Sequence, residues 1–213
     1  MTRRSRQTLR PGFDLRPGMR VGLLGGSFNP AHEGHAHVAR TALARLGLDR
    51  VIWLVSPQNP LKQGHASASL AERMAGARRM ASGPRMIVSD LEARLGSRYT
   101  LDVVRTLRAR HPGVRFVWLM GADNLASFHL WRGWQAIVRL VPICIVARPG
   151  WALAGRFSPM AKRFAWARRP ASEARRLPQL RPPAWIYLTA PLNFASSTAI
   201  RARIRRGSAE KAS

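Results

Sequence analysis

The chain has 213 residues, 46% hydrophobic and 22% charged, the balance of a globular protein with one large core or two small ones. Its apolar runs are too short to cross a bilayer, and the single Cys144 allows no internal disulfide, which suits a cytoplasmic, reducing setting. Lys and Arg outnumber Asp and Glu by 36 to 10, a net charge of +26 that attracts polyanions, yet no zinc-finger, RNP-like or arginine–aromatic repeat marks a specific nucleic-acid binder.

Residues 1–19 are Arg-rich and nearly free of acid, with no apolar stripe at helical spacing and no secretory apolar core, so they read as a basic flexible extension. RVGLLGG (20–26) reads as the first strand, followed by a helix from about 34 to 46 with Val38, Ala39, Ala42, Leu43 and Leu46 on one face. VIWLV (51–55) is the second strand and leads into the loop SPQNPLKQGH. Ser69 and Glu72 form a capping box for a helix carrying Leu70, Met74 and Ala77 inward. RMIVSD is a third strand. The helix TLDVVRTLRAR closes at His111-Pro112, where proline disfavours continuation. VRFVWLMG is the fourth strand, and ADNLASFHLWRGWQAIVRL reads as two short helices. PICIVA is a fifth strand that takes Cys144 as a small buried residue, and AWIYLTA is a sixth.

Between them, residues 151–183 form a basic excursion with AKRFAWARR as one helix, and 208–213 are a polar tail. Strands alternating with helices predict an α/β fold: a doubly wound, mostly parallel sheet in a single domain spanning 20–207. Ligands of such sheets sit beyond the carboxyl ends of the strands, where the loops described next also fall.

GGSFNPAHEGH leaves the first strand through a glycine pair and enters a helix with His32 and His35 one turn apart. Free amides and the positive dipole end of a helix start favour an anion. The stretch is neither a P-loop nor G-x-G-x-x-G, so imidazoles must serve where a P-loop uses lysine. As metal ligands the pair lacks a third partner: His37 points elsewhere and Glu33 lies on the wrong side. NFASSTAIRARIRRG, after the last strand, is a second helix mouth, with Ser196 and Ser197 as cap residues and Arg201 one turn in; alone it is also an ordinary capped helix.

Together, GSFNPAHEGH and SSTAIRARI resemble the paired H/T-x-G-H and S-S-T-x-x-R motifs of the nucleotidyltransferase superfamily. Within it the chain is most similar to the nicotinate-nucleotide adenylyltransferase family, with His32 at the first motif position and further likeness in SRYTLDVVRTL, MGADNLASFHLW and VARPG. The resemblance implies a Rossmann-like fold and adenylyl transfer from ATP, with Mg²⁺, to nicotinate mononucleotide, giving nicotinate adenine dinucleotide and pyrophosphate. It implies that His32, His35 and Arg201 are catalytic. Gly26, Ser27, Phe28, His32, His35, Asp123, Ser196, Ser197 and Arg201 would bind ATP. Tyr99, Thr100 and Trp131, with Asn59 and Lys62, would bind the mononucleotide. No protein side chain would ligate metal, no membrane or specific nucleic acid is involved, and homo-oligomerisation is left open. Other acceptors, such as nicotinamide mononucleotide or phosphopantetheine, remain alternatives, as does a non-catalytic nucleic-acid binder on the same fold. The chain departs from the family in its short end, GSAEKAS, and in the unplaced basic excursion.

Overall fold

The apolar runs form strands buried on both faces: every residue from Val51 to Val55 is buried, as are Val21, Leu23 and Leu24. Such two-sided burial is the mark of a parallel sheet covered by helices. The computed structural model describes residues 13–57, 68–147 and 157–189. Seven strands, β1 (Arg20–Gly26), β2 (Arg50–Val55), β3 (Met86–Ser89), β4 (Arg115–Gly121), β5 (Ile143–Val146), β6 (Arg168–Arg169) and β7 (Trp185–Leu188), pair in the order β3-β2-β1-β4-β5-β7-β6. Every pairing is parallel.

The helices are α1 (Glu33–Arg45), α2 (Leu70–Met80), α3 (Leu91–Arg94), α4 (Thr100–Arg110), α5 (Ala122–Ser127), α6 (Trp134–Leu140) and α7 (Pro159–Arg163). One face of the sheet packs α1, α2 and the 3-10 stretch Ala171–Gln179 around Trp53, Leu119 and Ile186. The other packs α4, α5, α6 and α7 around Trp118, Met120 and Trp185. The chain runs from β1 outward to β2 and β3, then returns to place β4 on the other side of β1. That reversal makes the β1–β4 boundary the switch point, where the C-terminal ends of two strands leave a crevice.

The predicted α/β architecture matches this sheet, with differences in the basic excursion. A seventh strand, β6, is only two arginines long and carries no apolar pattern to betray it. The single helix expected over AKRFAWARR is instead α7, a 3-10 turn at Ala165–Ala167, and then β6. At the point where the helix stops, the Phe164 carbonyl accepts both the Ala167 amide at 3.0 Å, which closes the 3-10 turn, and the Trp185 indole N–H at 2.7 Å. Residues 13–19, read from the sequence as part of the basic extension, lie against the body. Leu15 is buried, Phe13 and Met19 pack on the core, and the Gly18 amide donates to Gly113 O at 2.8 Å.

Candidate active site

The glycine pair is part of β1 and not of the turn after it, and its cause lies within the protein. A Cβ on Gly25 would sit 2.5 Å from the Trp118 ring, and one on Gly26 would meet the Phe28 ring at 3.2 Å. Phe28 then takes φ 47°, the left-handed region that costs a bulky residue about 1–3 kcal/mol. Its buried ring offsets that cost by stacking on Trp53, centroids 5.2 Å apart, and by meeting His35 edge-on at 4.9 Å. The strained turn is thereby held where the chain enters α1.

That entry is built from the two histidines. His32 is the N-cap of α1, in extended conformation, and its Nδ1 accepts from the Gly34 amide at 3.1 Å. His35, three residues on, accepts at its own Nδ1 from the His32 amide at 3.3 Å. This is a capping box made of imidazoles, reciprocal in the manner of Ser and Glu. An accepting Nδ1 carries no proton, which leaves the ring hydrogen on Nε2, and His32 is buried at this helix start. The rings lie 3.9 Å apart between centroids at the positive end of a 13-residue helix. Capping rules look for Ser, Thr, Asp or Asn, so this box is not legible as a cap in the sequence.

Across the switch point, β4 ends at Gly121 and passes directly into α5. Asp123 is the second residue of α5, half-buried. Gly121, and not Asp123, holds the N-cap position of this helix. Register aligns Leu24 of β1 with Leu119 of β4, so the turn at Phe28 and the start of α5 leave from the same sheet edge.

The remaining described candidates form a neighbouring group. Tyr99 is the N-cap of α4 and Thr100 its first residue, and no side chain caps this helix. The Tyr99 amide donates to Ser97 Oγ at 3.1 Å, and Ser97 Oγ donates to Asp102 Oδ2 at 2.8 Å, which fixes the approach to the helix. The Asp102 and Val103 amides bond back to Tyr99 O at 3.1 and 3.4 Å, which leaves the Thr100 and Leu101 amides without an acceptor within the helix. Gly133, at φ 66°, starts α6 against α4, and a Cβ there would lie 2.5 Å from Leu101 Cδ2. That close approach sets Arg132 over the Tyr99 ring, guanidinium carbon 4.5 Å from the centroid. Arg98, Tyr99, Asp102 and Arg132 line a cavity of about 700 Å³. Trp131 is half-buried, edge-on to Trp118 and to Phe128 at 6.1 and 5.2 Å, whereas Trp53 and Trp118 are core. Trp118 connects the two groups, one side against Gly25 and the other against Trp131.

Asn59, Lys62, Ser196, Ser197 and Arg201 lie outside the described residues. Two arginines were not singled out from the sequence. Arg132 looked like one more surface charge. Arg73 is 4% exposed and stands at the i+3 position of the stripe Leu70, Met74, Ala77, so a charge within an apolar face was the available signal. Among the described residues, no three His, Cys, Asp or Glu side chains cluster as a metal site, and no helix is long and apolar enough to cross a membrane.

A parallel doubly wound sheet with a donor-lined helix mouth at its switch point defines a nucleotide-binding α/β protein. The cytidylyltransferase-like family model matches residues 23–203. A Caulobacter sp. (strain K31) protein named "Probable nicotinate-nucleotide adenylyltransferase" is 66% identical over 189 residues, covering 89% of this chain and all of that protein. A Cereibacter sphaeroides (strain KD131 / KCTC 12085) protein of the same name is 54% identical, covering 90% of this chain and all of its own. The chain belongs to the cytidylyltransferase-like family and, within it, to the nicotinate-nucleotide adenylyltransferases. The fold is also that of the Plasmodium falciparum nicotinic acid mononucleotide adenylyltransferase solved with NaAD, with a TM-score of 0.66 at 15% identity, over 86% of this chain and 83% of that one.

Proposed function

We propose that this chain transfers the adenylyl group of ATP to nicotinate mononucleotide, forming nicotinate adenine dinucleotide and releasing pyrophosphate. The observation that carries the reading is the imidazole capping box: two rings 3.9 Å apart at the start of α1, each oriented by a backbone amide at its Nδ1. The family to which the chain belongs supports the choice of reaction.

In this reading a phosphate oxygen of the mononucleotide attacks the α-phosphorus of ATP. The new P–O bond forms as the bond to the β-phosphate bridging oxygen breaks, and that oxygen's electron pair leaves with pyrophosphate. The nucleophile is already an anion, so no general base is needed. The barrier is the crowding of negative charge, which fixed donors relieve without reorganising. His32 and His35 donate to ATP phosphate oxygens, His35 nearest the α-phosphate, while Gly26, Ser27 and Phe28 supply close backbone contacts. Asp123 sits beside the nucleotide ribose. Arg201, with Ser196 and Ser197, holds the β- and γ-phosphates. ATP enters as its Mg²⁺ complex; the ion neutralises triphosphate charge and needs no carboxylate from the chain.

On the acceptor side, the Tyr99–Thr100 stretch receives the pyridine carboxylate, through the Thr100 amide because that of Tyr99 already donates to Ser97 Oγ, and Trp131 stacks on the ring, with Asn59 and Lys62 on the mononucleotide. The uncapped start of α4 and the charge of Arg132 over Tyr99 support an anionic ring substituent there. The reading includes a cytosolic setting, in keeping with an unpaired, buried Cys144. It also takes residues 20–207 as the catalytic unit.

The test is pyrophosphate release with ATP and a panel of nicotinate mononucleotide, nicotinamide mononucleotide and phosphopantetheine. The expected result is turnover with the first at least tenfold above the others, the factor that one well-placed charge supplies at roughly 1.4 kcal/mol. Release with phosphopantetheine alone, or with none of the three, refutes the proposal.

A further inference from the structure

Arg73 is buried in α2, yet among the described residues no carboxylate lies within ion-pair distance of it. Its partners are four backbone carbonyls. Nε donates to Ala68 O at 3.0 Å, Nη1 to Ser27 O at 2.8 Å and Ser56 O at 2.6 Å, and Nη2 to Pro57 O at 2.6 Å. Four of the five guanidinium donors are therefore spent on three separate segments: the turn after β1, the chain leaving β2, and the residue before the α2 cap. Other bonds tie the same segments, the Ser56 amide to Gly26 O at 3.0 Å and the Ala68 amide to Asn29 Oδ1 at 3.4 Å. Burial without a counter-charge pushes the Arg73 pKa down from its ordinary value.

An apolar side chain would complete the stripe of α2 at this position without that cost, so the charge has a use beyond packing. The geometry of one peptide supplies it. Carbonyl and N–H of a trans peptide point in opposite directions. With Ser27 O drawn toward Arg73, the Phe28 amide is turned away from the guanidinium. The bond also polarises the peptide, which strengthens the N–H as a donor. Phe28 cannot relax from this orientation, because its φ of 47° is held by the ring contacts with Trp53 and His35.

We propose that Arg73 is a positioning residue for the nucleotide: acting through the Ser27 carbonyl, it aims and strengthens the Phe28 amide as a phosphate donor beside His35. The proposal rests on the reading of the α1 helix mouth as the triphosphate site. Lysine is the informative substitution, since it keeps the charge but as a point donor cannot span a planar fork of carbonyls.

For Arg73→Lys, KM for ATP is expected to rise roughly tenfold, with KM for nicotinate mononucleotide changed less than about twofold, because only one charge-assisted contact is misaimed. A merely structural role predicts the opposite pattern, a lowered Tm with both KM values unchanged or rising together, and either result overturns the proposal. Should Arg73→Lys fail to fold, amide hydrogen exchange on the wild-type protein decides: addition of α,β-methylene-ATP is expected to slow exchange at Phe28. An unchanged Phe28 rate overturns the proposal, whatever the variant does. If the wild type releases no pyrophosphate with the mononucleotide, the assigned reaction fails, while exchange at Phe28 with the analogue, compared between wild type and Arg73→Lys, still reports on the positioning role separately.

Discussion

Replacing His35 by glutamine separates the packing and capping that the structure gives this ring from the phosphate contact proposed for it. As the third residue of α1, His35 accepts the His32 amide at Nδ1 and packs edge-on against Phe28, so truncation to alanine removes structure as well as chemistry. Loss of the cap costs about 1 kcal/mol and loss of the aromatic pair about 0.5–1.5 kcal/mol. At roughly 2–4 °C per kcal/mol for a chain of this size, His35→Ala lowers Tm by about 3–10 °C. Glutamine is a native partner at this position of a capping box, so His35→Gln keeps the amide bond and confines the Tm change to about the aromatic share, 1–6 °C. What it removes is the rigid Nε2–H. A fixed donor at a developing oxyanion is worth about 3–4 kcal/mol, a loss of 10²–10³ in kcat/KM. The assay is coupled pyrophosphate release under kcat/KM conditions, alongside a thermal melt. A folded His35→Gln protein with kcat/KM within fivefold of wild type refutes the assignment of His35 to the phosphates.

Burial raises the Glu92 carboxyl from 4.5 to about 7, and the side chain is 3% exposed. Between those pH values the unfolded chain releases a proton that the folded chain keeps, so stability falls as pH rises through this window, by on the order of 3 kcal/mol. Glu92→Gln is expected to flatten that dependence in urea melts at pH 4.5 and 8; an unchanged slope rejects it. Gly25→Ala drives a Cβ into the Trp118 ring, which costs about 1–3 kcal/mol and, because Trp131 leans on Trp118, also raises KM for the mononucleotide. A Tm fall with that KM unmoved shows that Trp131 does not serve the acceptor. Arg132→Ala removes the cation over Tyr99, an exposed contact worth about 0.5–1 kcal/mol, so KM for the nicotinate acceptor rises two- to fivefold while KM for ATP holds.

The sheet was legible because strands buried on both faces must be continuous apolar runs, and VIWLV and PICIVA are little else. The α2 and α4 boundaries followed from Ser69–Glu72 and from Pro112, local signals that tertiary context had no reason to override. The excursion was not legible, since Arg168–Arg169 joins the sheet through backbone pairing alone and the Phe164 carbonyl is shared with a tryptophan twenty-one residues away. At the site, residue types announced the histidines but not what holds them. A histidine N-cap lies outside the usual set, and the role of Arg73 depends on three segments that meet only in the fold. The glycine pair shows the converse. The atoms that first require its small size belong to Trp118 and Phe28, neither of which its place in the sequence brings to mind.

The same comparison explains why imidazoles suit this helix mouth better than lysines would. A lysine brings charge, but its flexible stem must be ordered each time a phosphate arrives, and a net charge of +26 already supplies attraction. What attraction does not supply is direction. Each ring here is oriented before substrate binds, because its inner nitrogen satisfies an amide that the start of α1 would otherwise leave without a partner. Helix stability and donor alignment are therefore one set of contacts. A substitution that frees either Nδ1 loosens the Nε2–H on the far side of the same ring. On this account the spacing of His32 and His35 is set by the capping geometry of the helix, the N-cap and the third residue of its opening turn, before it is set by any dimension of the nucleotide.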